Sequence, residues 1–316
     1  MTEQATTNGQ EGHNYTSPAG IDYDSVPFRL WNKSKKLFWD PADIDFSQDT
    51  KDWQEMTEEQ QLAMAMSCRG FMVGEEAVTL DIIPLLRCMS NMGRLEDTMY
   101  LSMFAMEEAK HIDFFRHWFD AVGFDPSLQM RDSVGYGGNG GGGSGGNGGG
   151  GYGDTQQVDP FASLQRVMNR LDNDPSPKRI LDATLLYNHL IEAVFAIAGY
   201  RRFDQQFKLI GDVKLPALRE GLSLIQRDER RHIAYGTYLA RRTIAENPGI
   251  WEWVEQRWER MAGPLMNGGF DDLASTLAKR RLDVLRVAKD ESVDQVEHTQ
   301  IEDFEPDEAL EPVSGR

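Results

Sequence analysis

The 316-residue sequence holds only two cysteines and no run of about 18 apolar residues. The missing run leaves no candidate for a membrane-crossing helix. If one helix carries both Cys68 and Cys88, a rise of roughly 1.5 Å per residue sets them about 30 Å apart, beyond disulfide reach. Reduced thiols and a cytoplasmic location are expected. The polar opening MTEQATTNGQEGHNYTSPAG lacks the basic start and apolar stretch of a secretory signal. Basic residues are also scarce: 33 Lys and Arg face 51 Asp and Glu, a net charge of −18. That balance argues against a nucleic-acid or anionic-membrane surface. Ten of the acids lie in 290–311, which has no Lys or Arg. Segments of alternating β pattern are missing as well.

What remains is helical punctuation. Forty per cent hydrophobic residues suffice for a sizeable core. A disordered leader is expected over 1–25, a single helical domain over 26–288, and an acidic disordered tail over 289–316. After a polar connector around Pro41, Thr57 with Gln60 forms a capping-box start. The pattern then predicts a long helix to about Asn91. A second runs from about Leu95 to Ala121 and ends at Gly123. The stretch 133–153 contains 14 of the 30 glycines; its backbone entropy marks it as a flexible insertion. Further helices are predicted over about 160–171, 177–207 and 215–246, with two more after Pro248. The class is all-α.

Two of these helices carry the same device. EEAKH contains Glu108-x-x-His111, and DERRH contains Glu229-x-x-His232. Positions i and i+3 lie about 60° apart on a helix, so a carboxylate and an imidazole can share one metal ion. Two such pairs about 120 residues apart suggest a di-metal carboxylate bundle, which needs one more carboxylate from each of two other helices. FMVGEEAVTLD offers Glu75 or Glu76; they are about 100° apart, so only one can face the site. LLYNHLIEAVFAIAGY offers Glu192, alone among apolar neighbours and costly there unless paired or metal-bound. Glu107 and His111, like Asp228 and His232, are also spaced for i, i+4 pairing, but the repeated i+3 spacing favours Glu108 and Glu229. His117 falls off the face of His111. His189 reads either as support for a ligand or as a core histidine.

In this order the motifs resemble the small subunit of ribonucleotide reductase over roughly residues 30–265, LFWDPADIDFS included. The resemblance implies a ferritin-like four-helix bundle core with additional helices. It makes Trp39 and Asp228 partners of a metal histidine. GEEAVTLD, EEAKH, YNHLIEAVFAIAGY and DERRHIAYGT resemble more closely the ligand-binding oxidases related to that subunit. That likeness implies six metal ligands: Glu75, Glu108, His111, Glu192, Glu229 and His232. It also implies a manganese and an iron ion (two irons being the alternative), dioxygen activation, a long-chain fatty acid at the metals, and a homodimer. An ether crosslink between Val78 and Tyr187 is implied too, with Tyr200 a further tyrosine near the site. Tyr187 and Glu192 lie about 140° apart on an ideal helix, so a local distortion is needed to bring both to the metals. Two other readings stand beside the oxidase. One is a radical-generating reductase subunit, although Phe115 occupies the radical-tyrosine position and no tyrosine follows residue 290. The other is a non-enzymic ferritin-like metal-binding protein.

Overall fold

The computed structural model describes residues 20–127, 160–267 and 272–305, all helices and connections without a strand among them. The Gly-rich insertion at 133–153 lies outside the described residues. Helix α1 (Val26–Lys36) opens with Ser25 accepting from the Phe28 amide and closes with lysines in its last turn. Residues read as connector contain α2 (Ser47–Glu55). Helix α3 (Glu58–Asp81) starts from the Thr57–Gln60 capping box. It does not continue to Asn91 as expected. It stops at Ile82, and α4 (Ile83–Asn91) restarts with Pro84 in its first turn. A proline lacks the amide needed inside a continuous helix but fits a new first turn. Cys68 and Cys88 therefore sit on different helices, both buried and free.

Helix α5 (Leu95–Val122) ends at Gly123, whose φ of 71° is the left-handed cap. After the insertion come α6 (Pro160–Asn169) and α7 (Pro177–Thr184). Leu185–Ala196 then forms a π-helix, followed by α8 (Ile197–Leu209). Pro177–Leu209 as a whole is long and apolar enough to span a membrane. Here 89% of its most apolar window is buried inside the protein, so its hydrophobicity is core. Helix α9 (Pro216–Glu246) is anchored by α2. Asp49 accepts from the Ala217 and Leu218 amides and from Trp118 Nε1, each at 2.9 Å. These bonds satisfy amides that a helix start leaves unpaired. Helices α10 (Trp251–Met266) and α11 (Asp272–Arg286) pack on each other and on the π segment.

The tail departs from expectation. Residues 289–305 are folded and include α12 (Val293–His298), which starts from a Ser292–Gln295 capping box. Val296, Ile301 and Phe304 are buried. Acids read as a solvated run meet fixed cations: Glu291 pairs with Arg241, Glu297 with Arg242, and Glu305 with Lys33. Arg29 also donates to the Thr299 carbonyl at 2.7 Å. The segment is thereby fastened to α1 and α9.

Candidate metal centre

Four helical stretches bring buried carboxylates to one place: α3, α5, the π segment and α9. Glu75, Glu108, His111 and Glu229 form one donor group, and Glu108, Glu192, Glu229 and His232 form a second. Within each group the ligand atoms lie within 4.8 Å of one another, and all six residues are buried. Glu108 and Glu229 belong to both groups. The six expected ligands thus converge, while Glu76 is exposed.

The donor set fits two divalent cations. The outer acids, Glu107 and Asp228, are matched by two buried cations: Arg231 reaches both, at 2.5 and 2.6 Å, and Lys110 lies 2.8 Å from Asp228. The four inner carboxylates have no such protein partners. Glu108 Oε2 and Glu192 Oε1 are buried without any hydrogen bond. His232 Nδ1 lies 2.9 Å from Glu108 Oε1 but without hydrogen-bond geometry. Lone pairs pointing together in a dry interior are costly unless something positive sits among them. Two divalent ions would balance four carboxylates, and oxygen and imidazole donors suit manganese and iron.

The crowding sets the protonation of the site. Burial, then the Glu108 charge, pushes Glu75 well up. Burial and Glu229 do the same to Glu192, and burial and Glu108 raise Glu229. Burial also opposes ionisation of Glu108, yet the His232 charge beside it holds it below the usual range. Burial opposes ionisation of Asp228 too, but His111, Arg231 and Lys110 outweigh it.

Each histidine is oriented from the opposite helix. His111 Nε2 lies 3.3 Å from Asp228 Oδ2, which also accepts from Trp39 Nε1 at 2.8 Å. His232 Nε2 lies 3.0 Å from Glu107 Oε2. The i, i+4 pairs open to Glu107 and Asp228 on their own helices are therefore exchanged. Each acid sits one residue before its ligand glutamate, about 100° round the helix, and so points across to the neighbour. Such contacts fix a metal histidine's tautomer and ring orientation. Sequence reasoning gave no role to Arg231, Lys110 or Phe104. Only the doubled acid in EEAKH and DERRH signals that a balancing cation is needed. Phe104 stacks on the His232 ring with centroids 3.6 Å apart.

The π segment supplies the distortion that the spacing of Tyr187 and Glu192 demands. Its i→i+5 repeat brings residues five apart onto one face. Tyr187 Oη donates to Glu108 Oε1 at 3.4 Å, and burial raises its hydroxyl well above the ordinary value. Asn188 holds Glu192 at 2.9 Å and also donates to the His232 carbonyl at 3.4 Å. Gly236 on α9 makes room for this side chain, since a Cβ there would stand 2.1 Å from Asn188 Cβ. Val78 is buried three residues after Glu75. Tyr200 is buried against Phe71, 4.9 Å between centroids, and its hydroxyl has no hydrogen-bond partner. His189 belongs to neither donor group; burial and the Arg281 charge push it down to about 3.

Residues 21–131 match the family model "Ribonucleotide reductase, small chain". Among solved structures, the R2-like ligand-binding oxidase from Sulfolobus acidocaldarius is 33% identical with a TM-score of 0.72, covering 89% of this chain and 97% of its own. An R2-like ligand-binding oxidase with aerobically reconstituted Mn/Fe cofactor is 31% identical with a TM-score of 0.66, over 93% and 96% of the two chains. A point variant with anaerobically reconstituted Mn/Fe cofactor is likewise 31% identical with a TM-score of 0.66, over 90% and 98%. With this identity sustained over nearly the full length of both chains, and a helical fold that matches, the protein belongs to the R2-like ligand-binding oxidase family.

Proposed function

We propose that the protein is a manganese/iron oxidase that uses dioxygen to oxidise strong C–H bonds. Glu75, Glu108, His111 and Glu229 would hold one ion; Glu108, Glu192, Glu229 and His232 would hold the other. The observation that carries this reading is the sharing of Glu108 and Glu229 between two buried donor groups. Bound there, the two ions would supply the electrons and Lewis acidity that dioxygen reduction requires. The chain's own residues do the rest. Asp228 and Glu107 keep the histidines in the tautomer that presents Nδ1 to the donor groups. Phe104, fully buried and stacked on the His232 ring, excludes water from that side.

The bond to be oxidised is assigned to Val78, buried three residues after Glu75. A C–H bond of Val78 and the O–H bond of Tyr187 break, a C–O bond forms, and dioxygen accepts the two electrons and two protons. A long-chain fatty acid is the proposed ligand, and its carboxylate would complete the oxygen-donor set beside the six side chains. A homodimer is supported by α3, where Leu62, Met66, Val73 and Leu80 are exposed and fall within about 40° of one face. Intact-protein mass spectrometry tests the chemistry. Aerobic loading with manganese and iron should remove two hydrogens and yield a linked peptide containing Val78 and Tyr187. Oxygen consumption that leaves these residues unlinked contradicts the assignment.

A further inference from the structure

A seam of aromatic rings leaves the candidate centre on the His232 side. On α5, Phe104 stacks on His232, and Tyr100 follows one turn back, 6.0 Å from Phe104. On α9, Tyr235 packs 4.9 Å from Tyr100, and Tyr238 lies 6.2 Å from Tyr235. All four rings are buried. Tyr235 Oη donates to Asp97 Oδ1 at 3.0 Å, and Tyr238 Oη donates to Glu297 Oε1 at 2.8 Å. Tyr100 Oη has no hydrogen-bond partner. Arg242 also donates to the Tyr238 hydroxyl. Solvent reaches this end, where the Arg242 and Glu297 side chains are 22% and 23% exposed.

Core packing does not require this chemistry. Phenylalanine fills nearly the same space, and burying a hydroxyl is unfavourable unless it is hydrogen-bonded. Nor do two of these hydroxyls meet neutral acceptors; each meets a carboxylate able to take a proton. On the opposite side of the centre, the Lys110 ammonium sits 4.6 Å from the Trp39 ring centroid. A cation over an indole opposes formation of an indole cation radical, because both charges are positive. Lys110 thus opposes electron loss from Trp39, while Asp228, which accepts from Trp39 Nε1, favours it.

We propose that Tyr235 and Tyr238, bridged to His232 by the rings of Tyr100 and Phe104, form an electron route joining the di-metal centre to a small one-electron donor of the ascorbate class. The route rests on the oxidase reading above. Tyr235 gives one electron inward, reducing the oxidised centre by one, and its proton moves to Asp97. Tyr238 then reduces the Tyr235 radical, which takes its proton back from Asp97, while the Tyr238 proton passes to Glu297. The external donor returns one electron to Tyr238, which recovers its proton from Glu297. The net change is one electron from donor to centre. Tyr100, without a proton acceptor, serves as a ring between Tyr235 and Phe104. Electron transfer slows steeply with distance, and neighbouring rings along the route lie 3.6 to 6.2 Å apart between centroids.

The test uses full-length protein, loaded anaerobically with manganese and iron and containing ring-deuterated tyrosine. Samples mixed with oxygen, with and without ascorbate, are freeze-quenched for electron paramagnetic resonance while oxygen uptake is followed. The wild type should show a tyrosyl radical that ascorbate removes. Tyr235→Phe should lose that signal yet still consume oxygen. Asp97→Asn, which keeps every tyrosine, should lose it too. In Tyr238→Phe the radical should persist at Tyr235 and resist ascorbate. Oxygen uptake with no tyrosyl signal, or with a signal unchanged in Tyr235→Phe, overturns the route. Wild-type protein that takes up no oxygen overturns the oxidase reading instead, and the route with it.

Discussion

At the scale of single residues, the centre depends on side chains that do not face the ions. Glu107 bonds His232 and Arg231 together, so Glu107→Gln weakens two contacts at once. Partners of this kind are worth roughly 10- to 100-fold in metal affinity. We expect a loss of that size, measured by competition with a chromogenic chelator, with the fold intact by circular dichroism. Asp97 provides a test away from the ligands. Burial, offset in part by Arg242 and Arg94, raises its carboxyl from 3.8 to about 6. Between these values the folded protein holds a proton that the unfolded chain has released. Its contribution to stability is therefore present below about pH 4 and is lost as pH rises toward 6. In Asp97→Asn that slope should disappear. The difference between the two unfolding free-energy curves should change by on the order of 1–3 kcal/mol across the window. Parallel curves would show that Asp97 does not titrate there.

At the scale of elements, the close seat of the π segment on α9 matters most. Gly236→Ala would improve helix propensity by about 1 kcal/mol in an open helix. Here the added methyl group meets Asn188, and overpacking of this kind typically costs about 1–3 kcal/mol. We expect lower stability by chemical denaturation and reduced metal content, because Asn188 holds Glu192. How far the site was legible follows from the same elements. The repeated Glu-x-x-His and the lone Glu192 can be read from spacing and polarity alone. The exchange of Asp228 and Glu107 between helices cannot, because it depends on how α5 and α9 face each other. The 140° offset of Tyr187 from Glu192 revealed that regular helix geometry must fail, without saying how. The break at Pro84 falls inside an apolar period that continues on both sides, so periodicity alone does not reveal it. The folded tail was hidden by its charge, since its partners Lys33, Arg241 and Arg242 lie far away in sequence.

At the scale of the whole molecule, the C-terminal segment closes the bundle and α3 presents its outer face. Phe304 is almost fully buried against Tyr238, 5.9 Å between centroids. Phe304→Ala should destabilise the protein by about 3 kcal/mol, as large-to-small changes at buried phenylalanines do. Equilibrium denaturation checks this, and an unchanged midpoint would mean that the segment does not support the fold. The α3 stripe carries the dimer proposal. Leu80→Glu should shift the protein toward monomer in sedimentation velocity while leaving metal content unchanged. A wild type that sediments as a monomer would remove the dimer.

Anomalous X-ray scattering at the manganese and iron edges, from crystals of the metal-loaded protein, probes the main claim most directly. The account predicts one ion of each element per chain, one within reach of His111 and the other of His232, with Glu108 and Glu229 touching both. A single ion, or two ions bound away from these six side chains, would contradict it.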